Sequence, residues 1–231
     1  QRQMCIRDRL ISEGVHPERI EVFPNAMAGK VSLPSTSERI ALRHRLGLGN
    51  RVTLLYVGRL HPGKGLATLR EVWPKIASRC DAQLLIVGDG EEMGIFSDWR
   101  ERLPEKQRVY LTGHQRDPSL YYRASDIFVF PSLSETFGNV VIEAMSQGLA
   151  IVTTAVGVVR EWGDEAPVIK VGIGDSSALS RALFELIEQA ALRDHLGSRA
   201  TDFIAGRYGV APIAARYHRC YLRLLGLGDG Q

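Results

Sequence analysis

Short, uninterrupted apolar runs alternating with amphipathic stretches constrain this chain more than any other feature. The runs are Val52–Val57 (VTLLYV), Ala82–Val87 (AQLLIV), Val109–Leu111 (VYL), Ile127–Phe130 (IFVF), Ala150–Thr153 (AIVT) and Val168–Val171. They read as continuous apolar segments, so each predicts a strand buried on both faces. Between them, Thr68–Ala77 places Leu69, Val72, Trp73 and Ile76 on one helical face. Ser176–Ala190 does the same with Leu179, Leu183, Leu186 and Ile187, and Asp175 or Ser176 is placed to cap it. Repeated strand–helix units predict an α/β fold with a Rossmann-like, doubly wound parallel sheet flanked by helices. Beyond Val171 the pattern is helical to Gly226, a helical C-terminal tail.

The flanks read differently. Residues 1–9, with Gln3–Arg9 reading QMCIRDR, are expected to be translated adaptor sequence or a disordered charged tail. Residues 10–34, containing Glu21-Val22-Phe23-Pro24-Asn25, lead into the polar Pro/Ser stretch Pro34–Glu38, and the segment reads as an incoming strand and linker. Residues 35–225 form the expected domain, and 226–231 (GLGDGQ) a disordered tail. A length of 231 residues fits one domain with an appendage. A net charge of +3 excludes a dedicated nucleic-acid binder, which needs a dense basic stripe. Cys5, Cys80 and Cys220 show no metal-ligand spacing, and their sparse, odd count fits a reducing cytosol. No apolar run approaches the ~20 residues that span a bilayer, and the charged N-terminus does not read as a signal peptide.

Two motifs carry chemistry. Gly58-Arg59-Leu60-His61-Pro62-Gly63-Lys64-Gly65 follows the first strand, where ligands of doubly wound sheets bind. Arg59 offers a planar fork and Lys64 a point charge, a pairing suited to a diphosphate. The same stretch nearly matches a P-loop. Position 65, however, is Gly where a hydroxyl must hold Mg²⁺, and no Walker-B acid ends a later strand, which argues against an NTPase. A single Gly58 before Gly63 also fails the dinucleotide fingerprint of a dehydrogenase. His61 and His114 read as loop residues.

The second motif runs from Ser134 to Met145, after Ile127–Phe130. A helix starting near Gly138 would turn the amides of Gly138, Asn139 and Val140 into an anion site. Glu135 precedes that helix, and Glu143 lies about 7 Å along it. Carboxylates so placed could grip hydroxyls on either side of a diphosphate, one on a sugar and one on a ribose.

Taken in order and spacing, these residues resemble the GT4-type retaining glycosyltransferases over about residues 15–225. The match rests on Arg59 and Lys64, on Glu135 with Glu143 eight residues on, on Asp126–Ser132 (DIFVFPS), and on Glu143-Ala144-Met145 with Gly148. The tail from Asp175 through Leu192–Gly197 to Tyr217 and Tyr221 adds to it. The resemblance implies the C-terminal, nucleotide-sugar-binding half of a GT-B fold, with the acceptor-binding N-terminal domain largely missing. It implies Arg59, Lys64 and Glu135 as catalytic residues, the two cations on the diphosphate and Glu135 on donor-sugar hydroxyls. It implies Glu143 on the ribose, and Gly58, Phe137, Gly138, Asn139 and Val140 around the donor. Gly113 and Gln115 would border the base. The donor would be a UDP- or GDP-sugar and the acceptor a glycan or lipid, with no metal, no cofactor and no nucleic acid. Such a hexosyltransferase would be cytoplasmic, touching the inner face of the membrane through the missing domain. It would be incomplete and inactive as an isolated chain. The alternative is a non-catalytic nucleotide-sugar-binding module that needs a partner chain. The family often carries a Gly-Gly-x-x-Glu turn after the fifth strand; here Ala155–Glu161 has one glycine, Gly157.

Overall fold

The computed structural model of the chain describes residues 2–27 and 33–227. Its strands are β1 (Val52–Val57), β2 (Ala82–Val87), β3 (Val109–Leu111), β4 (Ile127–Phe130), β5 (Ala150–Thr154) and β6 (Ile169–Val171). Its helices are α1 (Arg2–Ser12), α2 (Thr36–Arg45), α3 (Leu66–Ala77), α4 (Met93–Glu101) and α5 (Ser119–Ala124). They continue with α6 (Asn139–Ser146), α7 (Val158–Glu161), α8 (Ser176–Glu188), α9 (Ala190–Tyr208) and α10 (Val210–Leu224). The strands pair in parallel throughout, in the order β3-β2-β1-β4-β5-β6. In the centre, Leu54 pairs with Leu84 on one side and Ile127 on the other. This is the doubly wound sheet that the apolar runs predict.

The runs of β1, β2, β4 and β5 are continuous because helices cover both faces. At the edges of the sheet, β6 and most of β3 are only half-buried and depart from that expectation. Leu54, Leu55 and Tyr56 of β1 are fully buried, as are Ile127, Phe128 and Val129 of β4. The expected face of α3 is sealed: Leu69, Val72, Trp73 and Ile76 are all buried. So are Leu179, Leu183 and Leu186 of α8, with Ile187 half-buried, and α3 packs beside α8. Burying each such large side chain is worth about 1.5–3 kcal/mol. Asp175 caps α8 by accepting from Ala178 N at 2.8 Å. The edge strands β3 and β6 have only three residues each, which leaves little unpaired edge for another chain to join.

At the amino ends of β1 and β4 a polar cluster closes the fold. Asp126 accepts from Arg39 (2.8 Å), from Arg43 (2.5 Å) and from Thr53 N (2.8 Å). Arg43 also donates to Ala124 O at 2.9 Å. Asp126, part of the family-like DIFVFPS stretch, is therefore committed to tying α2 to the sheet.

The flanks correct the expectations. Residues 2–9 belong to α1 and are not a disordered tail. The incoming strand does not form: residues 20–27 carry no strand. Their bonds go to helices instead, from Met27 N to Tyr208 O (2.6 Å) and from Arg216 to Val22 O (3.1 Å), and Phe23 stacks on Tyr217 at 4.0 Å. The supposed linker at Pro34–Glu38 starts α2. Ser35 accepts from Glu38 N at 3.2 Å while Glu38 accepts from Ser35 N at 2.8 Å, a reciprocal capping box. Residues 28–32 of the expected linker and 228–231 of the expected tail lie outside the described residues. No helix among the described residues is long and apolar enough to cross a membrane.

Candidate functional site

Between β1 and β4 the sheet reverses its direction of growth: the chain leaves β1 toward β2 and β3, and leaves β4 toward β5 and β6. Loops beyond the carboxyl ends of such neighbours diverge and leave a crevice for ligands. Here the two loops are also knitted together. Leu133 N donates to Gly63 O at 3.0 Å. Gly65 sits at φ +64°, and a side chain there would place its Cβ 1.8 Å from Pro131 O. The glycine that breaks the P-loop pattern is thus required by the contact between the β1 and β4 loops.

That contact sets the charges. Lys64 Nζ lies 2.5 Å from Glu135 Oε1, and Ser132 Oγ reaches the same oxygen at 3.1 Å. The ammonium also sits 5.9 Å from the Phe130 ring centroid. Glu135 is only 11% exposed and Lys64 25%, so the pair is shielded from water. Arg59 is exposed and makes no ion pair among the described residues. Opposite them, α6 begins at Asn139 after Gly138, whose φ of +94° turns the chain into the helix with no side-chain cap. First-turn amides have no partner within their own helix and carry its positive dipole end. Two cations and a helix end thus face one cavity of about 380 Å³. It contains Gly58, Arg59, Lys64 and Glu135 from the expected set, and also Phe137, Gly138, Asn139 and Val140.

The remaining expected residues are distributed around that cavity. Glu143 does not line it. It opens onto an adjoining cavity of about 590 Å³ together with Tyr122 and Asp117, and Asn25 and Asn139 are shared by both. Tyr122, on α5, is buried and donates from its hydroxyl to Glu143 Oε2 at 2.8 Å. Burial, with the Glu143 charge beside it, holds that phenol well above its usual titration range, so it is a donor at neutral pH. Gln115 lines a third concavity of about 720 Å³ with Gly58, Arg59, Asp89 and His114. Gly113 lines none of the three; its carbonyl accepts from Gly88 N at 2.9 Å and joins the turns after β2 and β3. His61 is a loop residue as expected, its Nδ1 accepting from Gly63 N at 2.9 Å.

Three neighbours escaped the sequence. Asn25 donates to Asn139 Oδ1 at 3.1 Å across 114 residues of chain. Tyr122 was hidden in the unread helix α5. Gly157 abuts the site loop: a Cβ there would lie 2.5 Å from Phe137 O and 2.9 Å from Glu135 Cβ, and Val158 N donates to Phe137 O at 2.8 Å. The lone glycine after β5 was noted only as a departure, yet it is the position against which the Glu135 loop closes. Among the described residues no group of three or more His, Cys, Asp or Glu is arranged to hold a metal ion.

Comparison with known proteins adds the following. The sequence model of the family described as "Glycosyl transferases group 1" matches residues 51–189. N-acetyl-alpha-D-glucosaminyl L-malate synthase of Bacillus anthracis is 27% identical over 175 residues, 74% of this chain and 45% of that protein. Phosphatidyl-myo-inositol mannosyltransferase of Mycolicibacterium smegmatis is 30% identical over 190 residues, 76% of this chain and 46% of that protein. The crystal structure of Anabaena Alr3699/HepE in complex with UDP superposes with a TM-score of 0.84 at 23% identity, covering 96% of this chain and 62% of that one. The chain thus spans about half the length of the curated relatives it matches.

Proposed function

This chain belongs to the glycosyl transferases of group 1, and from that premise we propose that it is the donor-binding half of a GT4-type, retaining sugar transfer. Its sheet and helical tail are those of the C-terminal Rossmann-like domain of a GT-B glycosyltransferase. One observation carries the reading. Lys64 and Glu135, 71 residues apart, meet at 2.5 Å where the sheet reverses, beside Arg59 and the start of α6.

In this reading the diphosphate of a UDP- or GDP-sugar lies between Arg59, Lys64 and the first-turn amides of α6. An ammonium has three donors, so Lys64 can keep Glu135 and still serve a phosphate oxygen. Glu135 holds donor-sugar hydroxyls and Glu143 the ribose hydroxyls, while the turn at Gly113–Gln115 borders the base. The bond from the anomeric carbon to the diphosphate oxygen breaks, and the two cations and the helix end neutralise that oxygen. The acceptor hydroxyl bonds to the same face of the sugar and passes its proton to the departing diphosphate oxygen, leaving a glycoside and a nucleoside diphosphate. With that charge met by the protein, we propose that no divalent cation is needed.

A UDP-sugar is supported by the UDP named in the Anabaena complex, and a lipid acceptor by the phosphatidyl-myo-inositol mannosyltransferase. We propose that the enzyme acts in the cytoplasm and meets the inner face of the membrane through its acceptor half. An exposed side of α10, bearing Val210, Tyr217, Tyr221 and Leu224, supports incompleteness: a covering acceptor half, on the same polypeptide or a partner chain, would bury it. Without that half the chain transfers sugar negligibly, because nothing orients an acceptor.

The test is titration of Lys64→Ala with UDP, GDP and the parent nucleosides. Diphosphate affinity is expected to fall about tenfold or more, the worth of a charge-assisted hydrogen bond, with nucleoside affinity unchanged. Equal losses for both would remove Lys64 from the phosphate site.

A further inference from the structure

Tyr122 is an ionisable side chain to which the proposed chemistry gives no task. It is 2% exposed and lies on α5, the helix that follows the turn assigned to the base. Its hydroxyl lies 2.8 Å from Glu143 Oε2 and 3.4 Å from Val140 O in the first turn of α6. A hydroxyl has one proton to give, and the shorter contact to a charged oxygen takes it. The ring is locked as well, packed at 5.8 Å from Phe128 in the core. A rigid, buried phenol is therefore aimed at one oxygen of a half-buried carboxylate that opens onto a cavity.

We propose that Tyr122 is a positioning residue for the nucleoside: it fixes Glu143 through Oε2, so that the other oxygen is presented to the ribose hydroxyls in one orientation. The proposal rests on the reading of Glu143 as the ribose-gripping group and adds the residue through which α5 controls it. A glutamate side chain carries substantial rotamer entropy, and one ordered before the ligand arrives does not lose it on binding. Burial serves the same end. Burial and the adjacent Glu143 charge hold the phenol above its usual titration range, so it keeps its proton and remains a donor. Tyr122 touches no donor atom in this scheme; it acts through Glu143.

The role predicts a signature that a packing residue would not produce. Affinities of the full chain and of its Tyr122→Phe and Glu143→Gln variants are measured calorimetrically for UDP, GDP and their 2′,3′-dideoxy counterparts. Tyr122→Phe keeps the ring and is expected to bind the ribonucleotide about tenfold more weakly, while binding the dideoxynucleotide as the parent chain does. Glu143→Gln is expected to abolish the preference for ribose, and adding Tyr122→Phe to it to change nothing more. An unchanged ribose preference in Tyr122→Phe beside a lost one in Glu143→Gln overturns the role of Tyr122 and leaves Glu143 standing. Equal weakening of both nucleotides by Tyr122→Phe overturns it too, as a packing effect. An unchanged preference in Glu143→Gln overturns the ribose reading and the proposal with it, as does failure of the parent chain to bind any of these nucleotides.

Discussion

At the amino ends of β1 and β4, a carboxylate and two guanidiniums are fully engaged with each other: Asp126 is met by Arg39, Arg43 and Thr53 N. At the carboxyl ends of the same two strands, Glu135 is met by Lys64 while Arg59 stands exposed with no ion pair among the described residues. The side chains are alike, but their neighbours differ. At the amino ends α2 covers the cluster and every partner is protein. At the carboxyl ends the chain diverges from the sheet in both directions, and a cavity of about 380 Å³ takes the place of a covering helix. Charge type therefore does not tell a cluster closed by protein from one that opens onto a cavity; the end of the strand does.

Substitutions at the two ends should separate stability from binding, and the largest effect belongs to the amino end. Asp126→Ala leaves two partly buried arginines without their carboxylate and is expected to cost about 3–4 kcal/mol. For a chain of this size that lowers the melting temperature by about 10 °C. The affinity of the folded protein for a nucleoside diphosphate should not change; loss of binding without loss of stability would break the comparison. Gly65→Ala comes next, because it forces a side chain into φ +64° and against Pro131 O. It should cost at least about 2 kcal/mol and also weaken nucleotide binding, since it parts the loops that bring Lys64 to Glu135. Calorimetry of both properties checks this, and intact binding would show that the loop contact is not what places the pair. Arg59→Ala should have the smallest effect on the fold, within about 0.5 kcal/mol, while weakening diphosphate binding about tenfold. A destabilised variant with unchanged binding would assign Arg59 to the fold.

The sheet was legible because a strand buried on both faces has a one-dimensional signature. β1 to β4 fall on the expected residues, β5 runs one residue further, to Thr154, and β6 starts one later, at Ile169. Less visible were elements whose signal is a cap or a distant partner. α2 is announced by Ser35 and Glu38 at capping-box spacing, yet the neighbouring Pro34 and serines read as a linker. The short α5 has only six residues (SLYYRA) with two adjacent tyrosines, too few for a periodic cue, and Tyr122 went unread with it. Residues 20–27 looked like a strand because a β-rich run does not reveal whether a sheet or a helix will receive it. In the site, Arg59, Lys64 and Glu135 could be named from position after a strand. Asn25 could not, because its contact spans 114 residues of chain. The separation of Glu135 and Glu143 into adjoining cavities was invisible too, since spacing along a helix does not say which side chain another residue captures.

The central claim is that the carboxyl ends of β1 and β4 bind a nucleoside diphosphate without a metal. It is tested most directly by thermal denaturation of the 231-residue chain with UDP, GDP, ADP, NAD or ATP·Mg²⁺, the diphosphates in EDTA. A ligand at a hundredfold excess over its Kd adds about 2.7 kcal/mol, a rise of roughly 5–10 °C here. The account predicts that rise with UDP or GDP in EDTA. A rise only with ATP·Mg²⁺ or NAD, or no rise with any diphosphate, would contradict it.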